Sequence, residues 1–133
     1  MAETLGLADR RDGRGIVVFD YDNDGDLDLF VVNQNQKAAL YRNDVGNKRH
    51  WVAFELVGKG DAIGGRVKVT SGDLTQIREV DGGNGFASQN DRRLYFGLGD
   101  RDRIDHVEVR WPDGKTQTLA DVSVNMQHTL THR

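Results

Sequence analysis

The stretch Ile16-Val17-Val18-Phe19-Asp20-Tyr21-Asp22-Asn23-Asp24-Gly25-Asp26-Leu27-Asp28-Leu29-Phe30-Val31-Val32 holds two β-branched, aromatic-rich runs separated by a short loop of small acidic residues and one glycine. Runs of four to six such residues on either side of a tight polar loop predict a β-hairpin. A third strand, Ala39 to Asn43, is expected after the turn at Asn35-Gln36. The polar segment Asp44 to Arg49 is the best boundary in the chain, and it divides the protein into residues 1–45 and 46–133.

Beyond that boundary, apolar residues alternate with polar ones, the period expected of half-buried strands. Val52, Phe54 and Leu56 share one face of Trp51 to Val57, and Val67 and Val69 share one face of Arg66 to Thr70. Ser71-Gly72-Asp73 turns the chain into a strand over Thr75 to Val80. Leu94, Phe96 and Leu98 form the next inward set, followed by Val107, Val109 and Trp111. Pro112-Asp113-Gly114 is a hairpin turn, since proline presets φ and glycine accepts a positive one. Strands at Thr116 to Leu119 and near His128 to Thr131 complete the set. Short strands at this spacing predict an all-β fold, an antiparallel sandwich or a small barrel carrying the N-terminal hairpin.

Composition agrees. Of 21 acidic residues 17 are Asp, and 16 Gly stand against one Pro, a balance that favours turns over helices. The 133 residues suffice for a hydrophobic core without cross-links, and the absence of Cys excludes disulfides, cysteine-ligated zinc and thiol nucleophiles. A net charge of −3 with scattered basic residues argues against nucleic acid as a partner. No apolar run is long enough to span a bilayer as a helix, and the Met1 to Thr4 start shows no leader pattern.

The loop carries the chemistry. Asp20 to Asp28 reads D-x-D-x-D-G-x-x-D, so carboxylates at the first, third and fifth positions can converge where Gly25 permits a sharp turn. Calcium takes six to eight oxygen ligands, and five carboxylates within nine residues repel one another unless a cation lies among them. The expected ligands are Asp20, Asp22, Asp24 and Asp28, together with Asp26 through its main-chain carbonyl. An EF-hand would need a bidentate Glu at the twelfth position, where Val31 stands, and a helix where Leu27 to Val32 is strand-like. The plain alternative is an acidic surface turn without an ion. Magnesium is less suited, because it keeps its waters.

With these residues in view, Asp12 to Leu29 resembles an FG-GAP/VCBS-type repeat, the unit of integrin-like β-propellers, and Leu40-Tyr41-Arg42-Asn43 is similar to the ending of one. The remainder resembles the ASPIC/UnbV domain of the cartilage acidic protein family. The residues that carry this likeness are Ala62-Ile63-Gly64-Gly65-Arg66-Val67, Arg78 to Phe86, Ser88-Gln89, Phe96-Gly97-Leu98-Gly99 and Val109 to Gly114. The resemblance implies a β-rich, non-catalytic protein of the extracellular, periplasmic or cell-surface kind, with calcium held by Asp20, Asp22, Asp24 and Asp28. A single propeller-blade-like repeat cannot cover its own faces. Three expectations follow: the chain is part of a longer protein, the hairpin docks on the second module, or a further chain pairs with it.

Elsewhere the bland alternatives weigh more. Gly82-Gly83-Asn84-Gly85 lacks the helix that phosphate cradles use, so its glycines are expected to supply positive-φ turns. Phe86, Ser88, Gln89 and Asn90 are candidates for lining a polar groove. Trp111 is in phase with the core, whereas Trp51 is open to either a core or a sugar-stacking role. His50, His106, His128 and His132 have no metal-ligating spacing, with His106 expected to face solvent and His132 to lie near a frayed end. Lys59-Gly60-Asp61 resembles an integrin-recognition tripeptide but reads as an ordinary loop. The function expected is a calcium-stabilised interaction module whose partner is a protein, a glycan or a second copy paired through exposed strand edges. The alternatives are a calcium-independent assembly domain and, with less support, a glycan-active hydrolase.

Overall fold

The computed structural model describes residue 4, residues 6–86 and residues 88–132; residues 1–3, part of the start read above for a leader, lie outside them. Ten strands are described: β1 Gly13–Phe19, β2 Asp28–Asn33, β3 Ala39–Tyr41, β4 His50–Val57, β5 Arg66–Ser71, β6 Leu74–Glu79, β7 Leu94–Gly99, β8 His106–Arg110, β9 Thr116–Leu119 and β10 Gln127–Thr131. Among the described residues the only helical pieces are 3₁₀ turns at Gly46–Lys48 and Lys59–Ala62. The all-β class is therefore as expected. The sheets are open, so of the two architectures the sandwich is the one formed.

Three sheets result. The N-terminal sheet is the antiparallel meander β1-β2-β3, in which Ile16 faces Val31 and Phe30 faces Leu40. The other two, β10-β4-β7 and β6-β5-β8-β9, pack together as the sandwich. Val52, Phe54 and Leu56 of β4 and Leu94, Phe96 and Leu98 of β7 meet Val67 and Val69 of β5 and Val107 and Val109 of β8 in one buried cluster. Phe54 and Phe96 cross edge to face at 5.9 Å, an arrangement that aromatic quadrupoles favour. Each alternating set named from the sequence is the buried one, and Trp111 is 3% exposed.

Some features depart from the sequence expectation. The C-terminal strand β10 runs parallel to β4, with His128 opposite Phe54, where neighbouring strands were expected to pair antiparallel. The chain reaches this edge through positive-φ residues at Asp121 and Asn125, and Asn125 N–H donates to the Trp51 carbonyl. Of the Gly82–Gly85 run only Gly85 has a positive φ, so the turn role expected of the others does not hold. Gly82 is small because Ile63 lies against it, 3.3 Å from where a Cβ would be. His132 is not frayed. Its ring meets Trp111 edge-on at 4.8 Å, and its Nε2 lies 3.2 Å from Asp113. His106 is half-buried rather than fully solvent-facing.

The hairpin docks on the sandwich. Val18 N–H donates to the Asn90 side chain at 2.9 Å, and Asp91 N–H donates back to the Val18 carbonyl at 3.2 Å. Docking leaves apolar side chains in solvent on both faces of the small sheet: Ile16 on one, Val32 and Leu40 on the other.

Candidate metal centre

The loop between β1 and β2 closes on itself through its own carboxylates. Asp20, buried at the end of β1, accepts the N–H groups of Asp24 at 3.1 Å and Gly25 at 3.0 Å, one on each oxygen. Asp28, buried at the start of β2, accepts Tyr21 N–H at 2.8 Å and Asn43 N–H at 2.7 Å. Asp28 thereby ties the loop entrance to the segment that follows β3. Asp24 accepts the N–H of Asp26 at 3.1 Å, a local turn bond typical of aspartate. Two left-handed positions make the curl, Asn23 with φ 58° and Gly25 with φ 95°.

These bonds bring together oxygens of Asp20, Asp22 and Asp28, all within 4.8 Å of one another. Two oxygens on opposite sides of a calcium ion bonded at 2.3–2.6 Å lie about 4.6–5.2 Å apart, so this grouping fits one hard divalent cation. Asp24 and Asp26 stand beside the group rather than in it, with carboxylates directed to Asn47. Asp24 accepts the Asn47 amide at 2.5 Å, and Asp26 accepts the Asn47 N–H at 3.1 Å through one oxygen. The other oxygen of Asp26 is buried without a hydrogen-bond partner. A buried, unbonded carboxylate oxygen is costly, and a cation or an ordered water would relieve it.

Charge crowding leaves its mark on the carboxyls. Asp22 is held above the ordinary carboxyl value, first by desolvation and then by the charges of Asp24 and Asp28, with Arg42 opposing. Asp26 is raised in the same direction, chiefly by burial. Arg42 lies 4.0 Å from Asp22 and 2.8 Å from Asp44, an exposed pair that offsets part of the loop's charge.

The second half of the chain supplies the floor of the loop. The Trp51 indole lies against Gly25, so close that a Cβ there would fall 1.8 Å from the ring. Arg93 donates to the Asn23 side chain at 3.2 Å and reaches Gln127 at 3.3 Å, with its main pairing to Asp91. Sequence reasoning named the five aspartates but not Asn43, Asn47, Trp51 or Arg93 as their neighbours. Asn43 carried a signal, being the last residue of the repeat-like ending. The other three lie outside the motif, and only the docking of hairpin on sandwich brings them there. Of the groove candidates, Asn90 lines a cleft of about 330 Å³ with Val18, Ile77 and Arg93, whereas Phe86 stands in solvent, 77% exposed.

The fold and loop together define an all-β protein in which an Asp-rich hairpin is seated on a β-sandwich. The chain belongs to the ASPIC and UnbV family, whose profile matches residues 58–133. It is also similar to cartilage acidic protein 1 from three vertebrates. The mouse protein is 33% identical over 124 residues, covering 89% of this chain, and the human protein 34% over the same length and share. The Xenopus tropicalis protein is 33% identical over 130 residues, covering 90% of this chain. The chain spans about a fifth of the length of these curated relatives. The similarity to the relatives covers most of the chain, whereas the family match begins at Gly58, just after β4.

Proposed function

We propose that this chain is a calcium-binding, non-catalytic interaction module of a secreted or cell-surface type of protein. In it, an FG-GAP/VCBS-type repeat over residues 1–45 precedes the ASPIC/UnbV module over residues 46–133. The observation that carries this is the convergence of Asp20, Asp22 and Asp28 oxygens in a loop whose backbone N–H groups already hold two of those carboxylates in place. A bound calcium ion would supply the charge that neutralises the cluster. Asp20, Asp22 and Asp28 are its candidate carboxylate ligands, with Asp24 and Asp26 contributing from the rim.

Support for a repeat of propeller type comes from the small sheet, which is apolar on both faces, as a blade packed between neighbours must be. Support for a binding role over a hydrolytic one is that the two most buried loop carboxylates are engaged by backbone N–H groups of the loop and of Asn43. The cartilage name of the relatives fits an extracellular setting. A protein or glycan partner fits the acidic, turn-rich surface better than nucleic acid does.

Calcium at millimolar concentration should stabilise the protein by about 1–3 kcal/mol, following RT ln(1 + [Ca]/Kd) for a site of modest affinity. Scanning calorimetry is expected to show a melting temperature several degrees higher with calcium than in metal-stripped protein. The double variant Asp22→Ala, Asp24→Ala should show no difference; a shift that survives in it would move the ion elsewhere.

The pH dependence has a definite sign. Asp22 and Asp26 have raised folded-state values, so the ion-free fold binds protons more readily than the unfolded chain does. The cost of holding them ionised, burial first and neighbouring charge second, is absent below the ordinary value of 3.8, grows as pH rises, and is complete above the raised values. Protons and calcium therefore compete for the same oxygens. The calcium increment in melting temperature should be largest near pH 7 and shrink as pH falls through the raised values toward 4. An increment independent of pH over that range would exclude these carboxylates as ligands.

A second reading, calcium-independent assembly, is favoured by the exposed apolar residues Ile16, Val32 and Leu40 on the small sheet. Light scattering that shows concentration-dependent mass, unchanged by metal stripping, would support it.

A further inference from the structure

A pocket of about 250 Å³ lies where the metal loop meets the sandwich, bounded by Asp20 and Asn23 on one side and Trp51, Arg93, Tyr95 and Gln127 on the other. Tyr95 is 8% exposed, and its hydroxyl is buried without a hydrogen-bond partner. A tyrosine hydroxyl in such a place normally finds an acceptor, because leaving it unbonded is costly. Its ring is held from two sides, tilted against Trp51 at 6.4 Å and under the Arg93 guanidinium at 5.4 Å. The same Trp51 lies on Gly25, and the same Arg93 bonds Asn23, so both supports of Tyr95 also touch the loop. Asp20 borders the same pocket, and a phenol O–H there has a carboxylate to which it can donate.

We propose that Tyr95 is a positioning residue for the metal loop, contributed by the ASPIC/UnbV module, whose hydroxyl orients Asp20 when the ion is held. The proposal rests on the calcium reading and extends it: the metal site is then completed only by the second module, and ion binding and docking are linked. Groups that orient a metal-binding side chain without touching the ion typically change affinity 10- to 100-fold when removed.

The test uses the full chain and calcium chloride alone, in wild type and in Tyr95→Phe, which keeps the ring and removes the hydroxyl. Calorimetric titration should give a Kd at least about tenfold weaker in the variant. The ion-free melting temperature should be unchanged or higher, because an unbonded buried hydroxyl has gone. Tryptophan emission followed through the same titration should respond to calcium and shift its midpoint by the same factor. A merely structural role would lower the ion-free melting temperature and leave Kd alone, which would overturn the proposal, as would a Kd within twofold of wild type. Wild-type protein that takes up no calcium would instead overturn the calcium reading itself, and this proposal with it.

Discussion

Gly25→Ala is expected to lower stability by about 2–6 kcal/mol, combining two separate costs. A φ of 95° lies outside the left-handed region that non-glycine residues occasionally adopt, a strain of about 1–3 kcal/mol. The new Cβ would also stand 1.8 Å, 2.1 Å and 2.4 Å from three atoms of the Trp51 indole, so the ring must move and its contact with the loop is lost. Overpacking of that kind costs about 1–3 kcal/mol more. Urea denaturation followed by far-ultraviolet circular dichroism would measure the sum. A double-mutant cycle would separate the parts, because in a Trp51→Ala background the steric cost disappears and only the backbone strain remains. A coupling of about 1–3 kcal/mol is expected. A Gly25→Ala protein within 0.5 kcal/mol of wild type would show that the loop is not seated on Trp51.

Asp28→Ala should have an effect of similar size for a different reason. Asp28 is fully buried, and its two oxygens serve as acceptors for Tyr21 N–H and Asn43 N–H, groups from the loop entrance and the segment just after β3. Truncation leaves two donors without a protein acceptor, at about 1–3 kcal/mol each where water cannot replace it. Loss of one negative charge relieves repulsion in the loop, but Asp22 is exposed and solvent screens that gain, so destabilisation wins. Asp28→Asn keeps one acceptor oxygen and should fall between Ala and wild type. Hydrogen exchange gives the specific readout: protection of the Tyr21 and Asn43 amides should drop sharply in Asp28→Ala. Unchanged protection at both would mean that Asp28 does not hold the loop shut. Both aspartate variants should also lose the calcium increment, whereas Gly25→Ala acts on stability with or without the ion.

These two residues also show what could be read from sequence. Both were picked out by position in the D-x-D-x-D-G-x-x-D pattern, glycine for a turn and aspartate for the ninth place. That Gly25 also makes room for an indole 26 positions away, and that Asp28 bonds Asn43 beyond β3, had no trace in the pattern. Similarly, Val107, Val109 and Trp111 were legible as core from alternation alone, because a strand with one buried face must repeat every second residue. The direction of β10 was not legible, since a strand carries the same alternation whether it pairs parallel or antiparallel. Nor was the fate of His132, whose place against Trp111 depends on β10 lying beside β4.

What the sequence determined by itself is local: strand positions, inward faces, the turn at Pro112 to Gly114, and an acidic loop whose charges ask for a cation. These follow from steric preference, side-chain period and Coulomb repulsion, all of which act between residues close along the chain. The tertiary structure decided which strands became neighbours, the seating of the loop on Trp51, and the burial of Tyr95 beside Asp20. Those contacts join residues tens of positions apart. They arise because the hairpin and the sandwich share a boundary that neither segment encodes alone.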